Sequence, residues 1–256
     1  MEHINTIAIT QARVGSTRLP RKVLLTLGSD TLLGVHLARL RQAKSIDQCI
    51  VATTNEKDSE SIVKSAESIG VSTFQGSLND VLDRFYKAAL RHSPTHVVRV
   101  TSDCPLIDPD LIDKVVHEAV AGGFDYFANT LVEDYPDGQD IEVFTFQALE
   151  KAWNEASTNT EREHVTPYII NNSSFKGGTV FKSADYPAPE NYNHVRMTVD
   201  EAVDLEVMQW LVNELGTDKD WLTYTKHMLA NPNKLTNSTI QRNEGYMKSL
   251  IKESDR

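Results

Sequence analysis

The sequence predicts an α/β fold, a parallel sheet with helices on both faces, and three observations support it. Short β-branched runs bounded by polar residues recur at residues 4–10 (INTIAIT), 48–53 (QCIVAT) and 96–101 (HVVRVT), as in strands buried on both sides. Between them, apolar residues fall at helical spacing: Leu33, Leu37 and Leu40; Ile62, Ala66 and Ile69; Leu82, Phe85 and Ala89. The resulting order of strand, helix, strand, helix, helix, strand is the rhythm of a parallel sheet.

Each element has its own local signals. The second helix follows a capping box at Asn55 and Asp58, and the third has Ser77 or Asn79 as its cap. In the second half, residues 141–144 and 194–199 read as strands, and 145–157, 161–172 and 201–215 as helices. Gly177-Gly178 and the stretch 185–193, with Pro187 and Pro189, read as loops. From about residue 230 the chain is Asn- and Ser-rich and weakly amphipathic, which predicts a loosely packed C-terminal element. Trp153, Trp210 and Trp221 fall within predicted helices, as core residues rather than stacking platforms. No internal repeat is evident.

Composition bounds the function. At 256 residues, with 40% hydrophobic and 24% charged residues, the chain can bury a core in one large domain or two small ones. No run approaches the roughly 18–20 apolar residues of a membrane span, and Met1-Glu-His-Ile lacks a secretory pattern. Cys49 and Cys104 are the two cysteines, without a disulfide framework or a CxxC spacing, so a reducing cytoplasm is expected. The eight His residues show no HExxH or zinc spacing. A net charge of −10 argues against a nucleic-acid polymer as partner. Within this acidic chain, residues 11–24 carry Arg13, Arg18, Arg21 and Lys22 and no acid, an island that a bound polyanion would explain.

That island follows the first strand, where open α/β sheets bind ligands. It has the glycine spacing of neither a dinucleotide fingerprint nor a P-loop. Gly15 and Ser16 could present backbone N–H groups, and Arg13, Arg18 and Lys22 could fork onto the phosphates of a triphosphate. The competing reading is a solvated basic loop. Asp103 follows the third strand and Asp200 the segment 194–199. Two carboxylates so placed could hold one or two Mg²⁺, or each could cap the next turn.

The segment Gln11-Ala-Arg-x-Gly-Ser-x-Arg-Leu-Pro-x-Lys22 resembles the signature of the cytidylyltransferase family, which includes the CMP-sugar synthetases. The likeness continues in order through Thr53-Thr-Asn55, Gly76-Ser-x-x-Asp80-Val-Leu-Asp-Arg84-Phe, Arg99-Val-Thr-Ser-Asp103-Cys-Pro-Leu106 and Thr198-Val-Asp200 with Asp204-Leu205. Pro136-Asp-Gly138-x-Asp-x-Glu142 and Glu161-Arg-Glu-His164-Val-Thr-Pro167 resemble the branch named for spore-coat polysaccharide protein F. The resemblance implies a Rossmann-like three-layer α/β/α fold with a mostly parallel, mixed sheet of the nucleotide-diphospho-sugar transferase type. It also implies a transferase domain over residues 1–229, with 130–190 as its acceptor and dimerisation part, and a C-terminal extension at 230–256.

For chemistry, the resemblance implies CTP- and Mg²⁺-dependent transfer of CMP to a sugar acid or related acidic acceptor, with release of pyrophosphate, in surface glycan synthesis by a cytoplasmic homodimer. Gln11, Ala12, Arg13, Gly15, Ser16, Arg18, Lys22, Asn55, Arg84 and Asp103 would bind nucleotide, with Arg13, Lys22 and Asp103 catalytic and Asp103 and Asp200 on the metal. Asn55 could instead be only a cap, and Arg84 could instead pair with Asp80 or Asp83.

On the acceptor side, Arg162 and His164 would hold a carboxylate or phosphate. Glu161 and Glu163 suit the start of a helix capped by Thr160. Asp137, Asp140 and Glu142 alternate across a turn and strand, contacting sugar hydroxyls or forming a solvated edge. The residues after 130 look unlike those of Kdo-activating enzymes, so Kdo is not the favoured acceptor. The family usually has Gly where Arg21 stands, and a positive φ there would strain Arg by about 1 kcal/mol. The alternative function is a glycosyltransferase consuming a nucleotide sugar. The basic loop and the lack of a D-x-D pair at Asp103 speak for the triphosphate.

Overall fold

The computed structural model describes residues 4–16 and 18–254. The reading of Met1 to His3 as lacking a leader therefore lies outside the described residues. Seven strands form one sheet. In chain order the elements begin with β1 (Thr6–Gln11), a two-stranded hairpin of β2 (Thr26–Leu27) and β3 (Asp30–Thr31), α1 (Leu32–Leu40), β4 (Gln48–Thr54), α2 (Glu60–Ser68) and β5 (Ser72–Gly76). There follow α3 (Val81–Leu90), β6 (His96–Thr101), α4 (Pro109–Gly122), β7 (Tyr126–Ala128), β8 (Glu142–Thr145), α5 (Phe146–Glu155), α6 (Asn159–His164) and α7 (Pro167–Asn171). The chain ends with β9 (Ser183–Asp185), α8 (Ala202–Leu215), α9 (Trp221–Ala230) and α10 (Glu244–Ser254).

The main sheet has the order β5-β4-β1-β6-β8-β7-β9. β5, β4, β1 and β6 run parallel, β8 is antiparallel to both β6 and β7, and β9 is parallel to β7. The sheet is mixed but mostly parallel, with helices on both faces, as expected. Alternation along β1 sends Ala8 to one face, against Leu33, Leu37 and Ile112, and Ile7 and Ile9 to the other, against Leu82, Phe85 and Leu149. Each fully buried Leu or Ile among them contributes about 1.5–3 kcal/mol. A third cluster joins α8 and α9 to Leu27 and Leu32.

Several boundaries differ from the sequence expectation. Residues 194–199 form no strand. Their backbone bonds go to loops, from Asp137 N to Val195 O (3.0 Å), Met197 N to Asp137 O (2.6 Å) and Val199 N to Asp103 O (2.8 Å). The partner loop turns at Gly138, whose φ of +113° lets the Met197 backbone approach where a Cβ would sit 2.7 Å from its carbonyl carbon. The helix expected over 161–172 is two, because Val165 leaves helical space (φ 74°, ψ −58°) and Pro167 has no N–H to continue the ladder.

The caps also shift. α2 begins after a 3₁₀ turn at Lys57–Ser59, with no Asn55–Asp58 box. Asp80, not Ser77 or Asn79, caps α3 through Asp83 N. Thr158, not Thr160, caps α6, in a capping box with Glu161. The segment past 230 contains a formed helix, α10, that buries none of its residues. Trp221 lies in the core, and Trp153, stacked on Tyr86 at 4.2 Å, and Trp210, stacked on His227 at 5.3 Å, are partly buried and pack against it. Among the described residues no helix is long and apolar enough to cross a membrane.

Candidate active site

The two central parallel strands end together: Gln11 pairs with Thr101, and the Ser102 hydroxyl donates to Gln11 O at 2.6 Å. This brings the basic loop after β1 beside Asp103 after β6. The loop closes on itself through Arg21 N to Val14 O at 3.1 Å, and the Ser16 hydroxyl accepts from Leu19 N at 3.3 Å. Arg21 takes the left-handed conformation (φ 58°, ψ 23°) and starts the 3₁₀ turn Lys22–Leu24. That turn delivers the Lys22 ammonium, whose Nζ donates to Asp103 Oδ2 (2.9 Å) and Asp200 Oδ1 (2.8 Å). Burial works against the charge on Lys22, but the two carboxylates outweigh it and its pKa rises. Burial likewise pushes Asp103 up, and Lys22 more than offsets it, so the carboxyl stays well below the usual range.

Arg196 sets Asp200. Its guanidinium, 6% exposed, forks onto Asp204 (Nε to Oδ1 2.8 Å, Nη2 to Oδ2 3.0 Å) and also reaches Asp200 Oδ2 (3.1 Å) and Asp137 Oδ2 (2.6 Å). Asp204 Oδ2 in turn accepts from the backbone N–H of Asp200 (2.9 Å) and Glu201 (3.0 Å). Asp200 therefore ends an extended segment rather than a strand, held by an internal ion-pair network.

A cavity of about 740 Å³ opens over these groups. Seven basic side chains line it (Arg13, Arg18, Lys22, Arg84, Arg162, Lys248 and Lys252) against five acidic ones, reversing the 26-to-36 balance of the whole chain. Such a wall suits a polyanion. Gln11, Ala12, Ser16, Asp103, His164 and Asp200 also line it, so most of the expected residues converge. Arg13 has no carboxylate partner among the described residues. Arg18 binds Asp200 (3.0 Å) and Glu244 (3.0 Å).

Arg84 points into the α3 entry loop, donating to Ser77 O at 2.6 Å rather than pairing with Asp80 or Asp83. Burial first, then Arg13, lowers its pKa to about 10. Arg162 lines the cavity but also binds Asp80 through Nε (2.9 Å) and Nη2 (2.7 Å), and His164 Nε2 meets Ser249 Oγ at 3.1 Å. Burial lowers the His164 pKa.

Four expected residues stand elsewhere. Gly15 and Asn55 are outside the cavity lining. Asp137 lies in the Arg196 network, and burial, then Asp140, raises its pKa to about 7. Glu142 is buried against Arg99, Tyr126 (2.7 Å) and Thr166 (2.6 Å). The residues sequence reasoning missed are Arg196 and the α10 side chains Glu244, Lys248 and Ser249. Arg196 sat four residues before Asp200 in a segment read as a strand, and α10 carries no motif.

Asp103 and Asp200 already share one cation between hard oxygens. Mg²⁺ binds through one or two carboxylates and keeps its remaining positions for phosphate oxygens and water, so the pair fits it. No group of three or more His, Cys, Asp or Glu side chains among the described residues could hold a metal.

A crevice at the carboxyl ends of parallel strands, with a basic loop facing two carboxylates, fits the phosphates of a nucleotide substrate, as a nucleotidyltransferase requires. The chain belongs to the cytidylyltransferase family, whose model matches residues 7–214. It is similar to an uncharacterized protein of Methanocaldococcus jannaschii, 43% identical over 201 residues (78% of this chain and 80% of that one). It is also similar to the spore coat polysaccharide biosynthesis protein SpsF of Bacillus subtilis, 33% identical over 219 residues (83% of this chain and 88% of that one). A cytidylyltransferase structure from Leptospira borgpetersenii superposes with a TM-score of 0.87 at 33% identity, covering 94% of this chain and all of that one.

Proposed function

We propose that the chain transfers CMP from CTP to the hydroxyl of a small acidic, sugar-like acceptor, with Mg²⁺, in surface glycan synthesis. The observation that carries this is the Lys22 ammonium held between Asp103 and Asp200 in the cavity that Arg13 and Arg18 also line. The acceptor oxygen bonds to the α-phosphorus, the bond from that phosphorus to the β-bridging oxygen breaks, and pyrophosphate leaves; the hydroxyl proton passes to the medium. Arg13, Arg18 and Lys22 hold the β- and γ-phosphates and offset charge on the departing pyrophosphate. Asp103 and Asp200 would hold Mg²⁺, which supplies charge neutralisation at the phosphate and lowers the pKa of the attacking hydroxyl.

Gln11, Ala12 and Ser16 line the nucleotide end, with Arg84 holding its wall. Arg162 and His164 face the acceptor. Asp137 and Glu142, tied into buried ion pairs, support rather than touch it. Gly15 and Asn55 remain outside the contact surface in this reading, which also has the chain acting as a cytoplasmic homodimer.

The test incubates the protein with each NTP, Mg²⁺ and a panel of acidic sugars, following pyrophosphate. CTP-selective release is expected. Absence of any pyrimidine triphosphate uptake by calorimetry in Mg²⁺ would end the reading.

A further inference from the structure

The C-terminal helix α10 lies beyond the matched family region and contributes six residues to the cavity lining. It buries none of its residues, and Met247, Leu250 and Ile251 face outward. Its docking is polar and falls on the walls of the site. Glu244 binds Arg18 at 3.0 Å, Ser249 binds His164 and Glu163 at 3.1 Å each, and Glu253 accepts from Thr160 N at 2.8 Å. The Tyr246 ring meets His164 edge-on at 5.1 Å. A segment with no buried apolar contacts and exposed polar tethers opens at low free-energy cost.

The chain just before it is anchored. The Arg242 side chain, 10% exposed, binds Asp140 Oδ1 at 2.5 Å and Tyr135 O at 2.9 Å. Between anchor and helix, Asn243 adopts φ 58°, a left-handed corner that Asn tolerates and that can absorb a change of direction. Anchor, corner and weakly held helix are the parts of a lid.

Resting on the reading above, we propose that α10 is a lid over the phosphate site, latched by Glu244 on Arg18. Glu244 supplies the anionic oxygen that a triphosphate brings, so the two compete for one guanidinium. Binding of the triphosphate takes Arg18 and frees the helix, which carries Lys248 and Lys252 away and leaves the phosphates to Arg13, Arg18 and Lys22; departure of pyrophosphate lets it close.

The experiment measures CTP–Mg²⁺ affinity by calorimetry and amide exchange over residues 244–254, for the native chain and Glu244→Gln. Loss of the partly exposed Glu244–Arg18 ion pair, with the intrahelical Glu244–Lys248 pair lost alongside it, predicts about two- to fivefold tighter CTP binding by the variant. Exchange over 244–254 should speed up when CTP is added to the native chain, and be fast already in Glu244→Gln. Equal or weaker CTP binding by the variant, or protection of 244–254 by CTP, overturns the latch. Repeating the titration with inorganic pyrophosphate separates the two ideas. If CTP fails to bind but pyrophosphate shows the Glu244→Gln effect, the latch stands and the CTP reading falls. If neither anion shows it, the latch falls.

Discussion

Arg196 and Asp204 meet in a two-pronged ion pair, Nε to Oδ1 at 2.8 Å and Nη2 to Oδ2 at 3.0 Å, with Asp204 fully buried. The pair also fixes the backbone N–H of Asp200, so the aim of a cavity-facing carboxylate depends on the Arg196 guanidinium. Removing that guanidinium leaves Asp204 charged without its ion-pair partner in the interior, and takes from Asp137 one of the cations that oppose its burial. Arg196→Met is expected to cost about 3–5 kcal/mol, read from urea unfolding. Arg196→Lys keeps the charge but not the fork, and should lie between. A loss below about 1 kcal/mol in the Met variant would show that the network does not hold this corner.

Asp103→Asn keeps the shape of the side chain and removes its charge. Lys22 still has Asp200, so the fold should persist, with an unchanged far-ultraviolet spectrum. Pyrophosphate release should drop by about 10²–10³-fold or more, the scale seen when one group stabilising transition-state charge is lost. Mg²⁺-dependent release at the native rate would remove Asp103 from the chemistry.

The central sheet was legible because its strands are β-branched runs of six or seven residues and its first three helices carry clear apolar stripes. α4 could have been read as well, since Asp108, Pro109 and Gly123 punctuate it at cap, first turn and C-cap. β7 and β9, at three residues each, are too short to show a period. The cationic loop and Asp103 were visible from local sequence. Their convergence with Asp200 was carried by resemblance, and the contacts of Arg196 with Asp137 and of Arg242 with Asp140 span 59 and 102 residues of chain, which no local pattern encodes.

His36 gives the protein a pH-dependent weakness. It is fully buried, and because the Cys104 carbonyl at 2.9 Å can only accept, Nδ1 carries the proton. Nε2 is buried without a partner, so a second proton would have no acceptor. Burial, above the opposing Cys104 hydrogen bond, lowers its pKa to about 4. The unfolded chain, with an ordinary pKa near 6.5, binds a proton between these values that the folded chain refuses, so stability rises with pH across that window. Acidification from pH 7 to 4 should remove about 3 kcal/mol through this group. Urea midpoints measured along the series should fall, and His36→Gln should flatten the slope. An unchanged slope in that variant would place the acid sensitivity elsewhere.

Arg21 offers the opposite experiment, a change expected to strengthen the fold. Its φ of 58° and ψ of 23° put a residue with a Cβ where Gly is at ease, at a cost of about 1 kcal/mol or more. Arg21→Gly relieves that strain but gives the unfolded chain more freedom, so the net gain should be modest, up to about 1 kcal/mol. Arg21→Val adds a β-branched side chain at the same φ and should destabilise by at least as much. The turn also delivers Lys22 to Asp103 and Asp200. If the left-handed corner is what aims Lys22, CTP affinity should be kept in Arg21→Gly and fall in Arg21→Val. Thermal unfolding and CTP calorimetry on the two variants decide it: destabilisation by Gly would mean that the Arg21 side chain contributes more than its backbone costs.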